Sequence, residues 1–249
     1  MNIYKHIKAQ KKEGKKGFAV LIDPDKCHGK QLEKLMQLSL DAHIDYFLIG
    51  GSLMSQDNLS KTIRQLKTQE TIPCLLFPGS TFQIDSEADA LMYLSVISGR
   101  NPDLLIGRHV ESAPIILQSG LETISTGYML IDGGRTTAVN YMSNTMPIPY
   151  DKDQIAVATA LAGAFLGMQM IYLEAGSGAY KSVSPSMIKA VKDQLTIPLI
   201  VGGGIKTPED AYEKVSAGAD IIVVGNAIEK DPELIIDMSS SIHSVNTLV

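Results

Sequence analysis

Short apolar runs at 18–22, 46–49, 74–77, 91–96, 122–130, 170–173, 198–201 and 221–224 punctuate the chain, and each has the length of a strand. They are apolar almost throughout, as in Ile221-Ile222-Val223-Val224, rather than alternating with polar residues. Strands of that kind are covered on both faces, which points to a parallel sheet. Amphipathic stretches at 30–42, 58–67, 104–118, 153–166, 184–194 and 208–217 predict helices between most of them. Their starts carry the expected chemistry: Thr207-Pro208-Glu209-Asp210 sets a capping hydroxyl before a proline and two acids, and Ser184-Pro185 repeats the device. Eight strands alternating with helices, with no linker, predict a single α/β domain over 1–249, a (βα)8 TIM barrel.

One unit breaks the rhythm. Only twelve residues, 78–89, join the third and fourth strands, too few for a helix and two linkers. The third helix is therefore expected to be missing or replaced by a short loop, leaving an opening in the wall along which an elongated ligand can lie. A second segment imitates a membrane span, since 155–173 holds nineteen residues without a charge. Gly163, Gly167 and Gln169 interrupt it and polar residues follow at once, so a buried helix, a glycine turn and a strand are expected instead.

Composition narrows the function classes. The chain is 45% hydrophobic and 20% charged, ordinary for a globular protein with a full core. A net charge of −5 gives no electrostatic footprint for nucleic acid. Cys27 and Cys74 have neither metal spacing nor a disulfide framework and read as packing thiols of a reducing cytosol. The N-terminal segment has a basic run, Lys11, Lys12, Lys15 and Lys16, with no apolar stretch after it. No secretory signal is expected, which places the protein in the cytoplasm. The run itself reads as a solvated face, with peripheral contact to an anionic membrane as the alternative. His6, His28, His43, His109 and His243 share no metal spacing, so no His-dependent mechanism is expected. The eleven methionines read as core filler, with some lining a lipid groove.

The candidate chemistry sits where strands end. Three glycine-bearing segments, 172–179, Gly202-Gly203-Gly204-Ile205 and Gly225-Asn226-Ala227, each follow a predicted strand. Glycine lets backbone amides approach an anion closely, and barrels commonly bind phosphate after strands seven and eight, so these loops predict a phosphate site. On the other side of the mouth, Asp23 ends the first strand and Ser52 follows the second. An aspartate and a hydroxyl there are oxygen ligands suited to Mg2+, which takes few protein ligands and keeps waters and substrate phosphates. The alternative for Asp23 and Asp25 is a capped turn, which Asp-Pro-Asp also suits.

Taken together, LIDPDK, LIGGS, YLEAGSGA, GGGI and VVGNAI resemble the geranylgeranylglyceryl phosphate synthases, including their bacterial heptaprenyl relatives, over nearly the whole chain. The resemblance implies Mg2+-dependent transfer of a polyprenyl group from its diphosphate to the 3-hydroxyl of sn-glycerol 1-phosphate. It places the metal at Asp23 and Ser52, and the glycerol phosphate at Tyr172, Leu173, Glu174, Ala175, Gly176, Ser177, Gly178, Gly203, Gly204, Gly225 and Asn226. Leu21 stands where heptaprenyl members carry lysine, and YLEAGSGA is archaeal in type, so the geranylgeranyl branch is expected. Glu174 is expected to accept the proton of the attacking hydroxyl while Tyr172 and Ser177 orient the substrate, the alternative being a carboxylate that only positions the glycerol. Competing functions are an isomerase or lyase for a soluble sugar phosphate, with a closed polar mouth, and a non-catalytic barrel binding a phosphorylated lipid precursor. The resemblance also implies a homo-oligomer, for which 140–150 is either a subunit contact or an ordinary long loop.

Overall fold

Residues 2–248 are described in a computed structural model of the chain. Its eight strands are β1 (Gly17–Ile22), β2 (Tyr46–Ile49), β3 (Cys74–Leu76), β4 (Ala90–Val96), β5 (Glu122–Leu130), β6 (Met170–Glu174), β7 (Leu199–Gly202) and β8 (Ile221–Val224). Each pairs in parallel with the next, and β8 returns to β1 through Gly17↔Ile221 to Val20↔Val224, closing the barrel. The expected TIM barrel is what forms. Two apolar layers hold it: one between sheet and helices, with Phe18, Val20, Ile22 and Leu173, and one inside the barrel, with Ala19, Tyr46, Leu48 and Tyr172. The split follows from the period of two along each strand.

Around the sheet run α1 (Ile3–Lys12), α2 (Lys30–Asp41), α3 (Leu59–Leu66), α4 (Arg108–Ser119), α5 (Ala138–Ser143), α6 (Asp153–Phe165), α7 (Pro185–Lys192), α8 (Pro208–Ser216), α9 (Asn226–Lys230) and α10 (Leu234–His243). The predicted caps are formed: Thr207 accepts from the Asp210 N–H at 3.2 Å and Ser184 from the Met187 N–H at 3.2 Å. The uncharged 155–173 segment resolves into α6, a turn at Gly167 and β6. No helix among the described residues is long and apolar enough to cross a membrane.

The third helix is absent, as its length predicts: 77–89 runs from β3 to β4 without one. Gln83 takes over part of its anchoring, accepting from the Gly79 N–H at 3.0 Å and donating to the Gly51 carbonyl at 2.9 Å. The stretch expected as one helix at 104–118 begins with a π-turn, Asp103–Gly107, before α4.

Three helices go beyond the sequence reading: α1, α5 and α10. The N-terminal residues fold into α1, which closes the end of the barrel from which the strands start. Its Ile3 and Ile7 are buried, and the N–H groups of Ile3 and Tyr4 donate to the Glu122 carboxylate at 2.6 and 2.8 Å. A carboxylate there satisfies donors that a first helical turn otherwise leaves orphaned. Three of the four lysines in the basic run are engaged: Lys11 and Lys16 face the buried Asp220 together with Lys192, and Lys15 pairs with Glu13 at 2.8 Å. That run lies at the barrel end opposite the loops that follow the strands.

Candidate active site

Along β6 the side chains of Tyr172 and Glu174 point into a cavity of about 700 Å³ at the C-terminal mouth, while Leu173 between them points outward into the sheet–helix layer. Leu173 and the buried Ala175 therefore support this site through their backbone. The floor is aromatic: Tyr172 stands 5.4 Å from Phe77 and 5.3 Å from Tyr128, centroid to centroid. Phe77 and Tyr128 line the cavity without having been expected there. The signal for Tyr128 was the inward register of β5, which pairs it with Tyr172.

Glu174 is buried, and its Oε1 accepts the Gly176 N–H at 2.6 Å. Burial pushes its carboxyl up to about 7, against the opposing pull of that N–H and of the neighbouring Tyr172 hydroxyl. The buried Tyr172 hydroxyl makes no hydrogen bond of good geometry among the described residues, leaving it available to a ligand. Burial likewise raises the Tyr172 phenol well above its ordinary value. A carboxyl that titrates near neutrality is suited to proton transfer.

Beside Glu174 the loops after β7 and β8 complete one wall. Gly203 has φ of +79°, and a Cβ there would stand 2.1 Å from Glu174 Oε1 and 2.5 Å from the Gly176 nitrogen. A side chain at Gly203 would therefore displace the Glu174 carboxylate and the β6 loop. Gly204, Gly225, Asn226, Ser177 and Gly178 line the same cavity. With its amide oriented to satisfy both ends, Asn226 donates to Glu229 at 3.2 Å and accepts from the Gly178 N–H at 3.1 Å and the Ser177 hydroxyl at 3.0 Å. The two glycine loops and the β6 loop thus form one continuous backbone cradle.

Across the mouth, Asp23 and Ser52 line the cavity together with Gly51 and Lys26. Lys26 Nζ pairs with Asp23 Oδ2 at 2.9 Å. Asp25 turns elsewhere: its Oδ2 accepts from the Ser55 N–H at 2.5 Å and hydroxyl at 2.9 Å, and these bonds hold its carboxyl below the usual carboxylate range. Its role is to tie the β1 loop to the β2 loop. Among the described residues no group of three or more His, Cys, Asp or Glu could hold a metal ion. The donor set of one carboxylate and one hydroxyl fits Mg2+ carried on substrate phosphates and does not fit a resident protein cage. Burial pushes the Cys27 and Cys74 thiols up to about 11 and about 12, as packing thiols require.

A second cavity, about 310 Å³, lies where the third helix is missing. The β3–β4 loop, with Pro78, Phe82 and Ile84, forms one side, and Leu104, Ser112 and Ile116 form the other. The Tyr93 hydroxyl donates to the His109 carbonyl at 2.7 Å, and His109 Nε2 meets the Ser95 hydroxyl at 2.9 Å, which holds the start of α4 on β4. His109 is thus a wall residue of this groove.

A TIM-barrel enzyme with its chemistry at the C-terminal mouth is the class that this fold and cavity define. The chain belongs to the PcrB family, whose model matches residues 9–242. Among its relatives is a protein of Chitinophaga pinensis named geranylgeranylglyceryl phosphate synthase, 54% identical over 242 residues, covering 97% of this chain and 96% of the relative. One of the same name from Spirosoma linguale is 47% identical, with 98% of each chain covered. A solved structure of (S)-3-O-geranylgeranylglyceryl phosphate synthase from Thermoplasma acidophilum, in complex with substrate sn-glycerol-1-phosphate, superposes with a TM-score of 0.92 at 29% identity, covering 98% of this chain and 99% of that one. The family resemblance read from the motifs is therefore borne out.

Proposed function

We propose that the protein joins a polyprenyl group, geranylgeranyl by preference, from its diphosphate to the 3-hydroxyl of sn-glycerol 1-phosphate, forming an ether. The observation that carries this reading is the pairing of a backbone cradle at Gly203, Gly204, Gly225 and Asn226 with a buried carboxyl at Glu174 and a second cavity where the third helix is missing. The relatives' shared name supports it.

The glycerol phosphate lies with its phosphate in the cradle and its 3-hydroxyl at Glu174, with Tyr172 and Ser177 orienting the glycerol. The hydroxyl oxygen bonds to the first prenyl carbon, the carbon–oxygen bond to the diphosphate breaks, and the diphosphate leaves with the electron pair. Glu174 takes the hydroxyl proton. Asp23 and Ser52 are the residues that would hold Mg2+, which would offset the charge developing on the leaving diphosphate. Phe77, Tyr128 and Tyr172 exclude water from the reacting carbon. A sugar-phosphate isomerase needs a closed polar mouth, whereas Leu21, Leu53, Phe77 and Tyr128 line this one and a groove opens beside it.

A homo-oligomer forms part of the reading. The 140–150 segment includes the end of α5, and its Tyr141, Met142 and Met146 side chains are exposed, which suits a subunit contact. The test of function is incubation with Mg2+, labelled glycerol 1-phosphate and geranylgeranyl diphosphate, followed by butanol extraction. Label should enter the organic phase and a chelator should abolish it. Absence of extractable label in the complete mixture would refute the transferase.

A further inference from the structure

Lys26 holds two carboxylates at once. Its ammonium lies 2.9 Å from Asp23 Oδ2 and 3.7 Å from Glu229 Oε2, within the mouth cavity. The acids keep only 15% and 17% of their side-chain surface, while Lys26 keeps 55%. The lysine is therefore pinned at its tip and free along its stem. Asp23 Oδ1 already accepts the Asp25 N–H at 3.1 Å, so Oδ2 is the oxygen left to face a cation. An ammonium at that oxygen and a divalent ion at the same oxygen exclude each other. Glu229, which the sequence reading did not single out, also accepts from the Asn226 amide at 3.2 Å and so joins this end of the mouth to the phosphate cradle.

We propose that Lys26 is a built-in counter-cation, which holds Asp23 and Glu229 while the mouth is empty and moves onto the diphosphate when the metal–diphosphate complex enters. The inference rests on the Mg2+-dependent reading above and adds an order to it: the metal loads with the diphosphate and not ahead of it. Free Mg2+ has to displace an ammonium that then loses a close anionic partner in a partly desolvated site, and this offsets much of what the metal gains. A diphosphate supplies new charge-assisted bonds for the same ammonium, so displacement leaves no charge unpaired. Glu229 retains Lys26 near the mouth through the exchange. The arrangement keeps stray divalent ions off Asp23 and makes the leaving group the trigger for assembling its own counter-charges.

Calorimetric titration of the whole protein with Mg2+ alone, and with Mg2+ in the presence of inorganic pyrophosphate, tests this. The unmodified protein should bind Mg2+ alone at least about tenfold more weakly than with pyrophosphate. Lys26→Met should tighten Mg2+ alone by about tenfold and weaken pyrophosphate by about tenfold, while Lys26→Arg keeps the original pattern. Equal affinities in Lys26→Met and the unmodified protein, with or without a change in melting temperature, would overturn the proposal. If Asp23→Asn then still loses the metal–pyrophosphate complex, the Mg2+ reading stands and only the role of Lys26 falls. If the unmodified protein binds no Mg2+ under either condition, both fall.

Discussion

The proposed mechanism places its proton transfer on one buried carboxyl, Glu174. Burial raises it to about 7, so the ionised form that accepts a proton is populated above neutrality and lost below it. kcat/KM is therefore expected to fall as pH drops through about 7, with Glu174→Gln lowering kcat by about 10²- to 10⁴-fold and removing that acid limb. Stability moves with the opposite sign. Because the folded value is raised above the ordinary 4.5, the neutral carboxyl favours the fold, and that contribution is present at low pH and lost as pH rises through about 7. Glu174→Gln should escape this loss, gaining on the order of 3 kcal/mol at most relative to the unmodified protein between pH 6 and 8 by urea unfolding. A bell without the acid limb in the unmodified enzyme would remove Glu174 from the base role and leave it as a positioning group.

At the scale of elements, the loop that replaces the third helix is expected to decide which substrates the proposed reaction accepts. A twenty-carbon chain has no room among packed side chains inside an eight-stranded barrel, so it has to leave the mouth sideways. On the proposed function the 310 Å³ groove between the β3–β4 loop and α4 would be the exit, where each buried methylene contributes about 0.8 kcal/mol. Ser112 is buried and lines this groove, so Ser112→Phe should shorten the longest prenyl diphosphate accepted and leave KM for glycerol 1-phosphate unchanged. Equal efficiency with geranyl and geranylgeranyl diphosphates in the unmodified enzyme would sink the groove. This opening was legible in the sequence because counting residues between two strands needs no tertiary information. The same was true of β1 to β8 and of the glycine loops, whose patterns are local. What was not legible arises from long-range contact: α1 reads as a charged run until Ile3 and Ile7 find the barrel interior, and Lys26 and Glu229 meet only once β1 and β8 are neighbours.

For the whole molecule, the barrel separates stability from chemistry by its two ends. The bottom carries α1 and the Asp220 cluster, and the mouth carries Asp23, Glu174 and both glycine loops. Ile7→Ala should therefore lower unfolding free energy by about 2–5 kcal/mol in urea titrations while kcat and KM stay unchanged at a temperature where the variant is folded. A fall in kcat of the folded variant would show that the two ends are coupled. The central claim concerns the other end, and a crystal structure with sn-glycerol 1-phosphate and a non-hydrolysable thio analogue of geranylgeranyl diphosphate tests it most directly. Phosphate density is expected against the backbone of Gly203, Gly204, Gly225 and Asn226, with the glycerol 3-hydroxyl at Glu174, the diphosphate at Asp23 and the prenyl chain between Phe82 and Ser112. Glycerol phosphate bound away from the glycine loops, or a prenyl chain lying outside the groove, would contradict it.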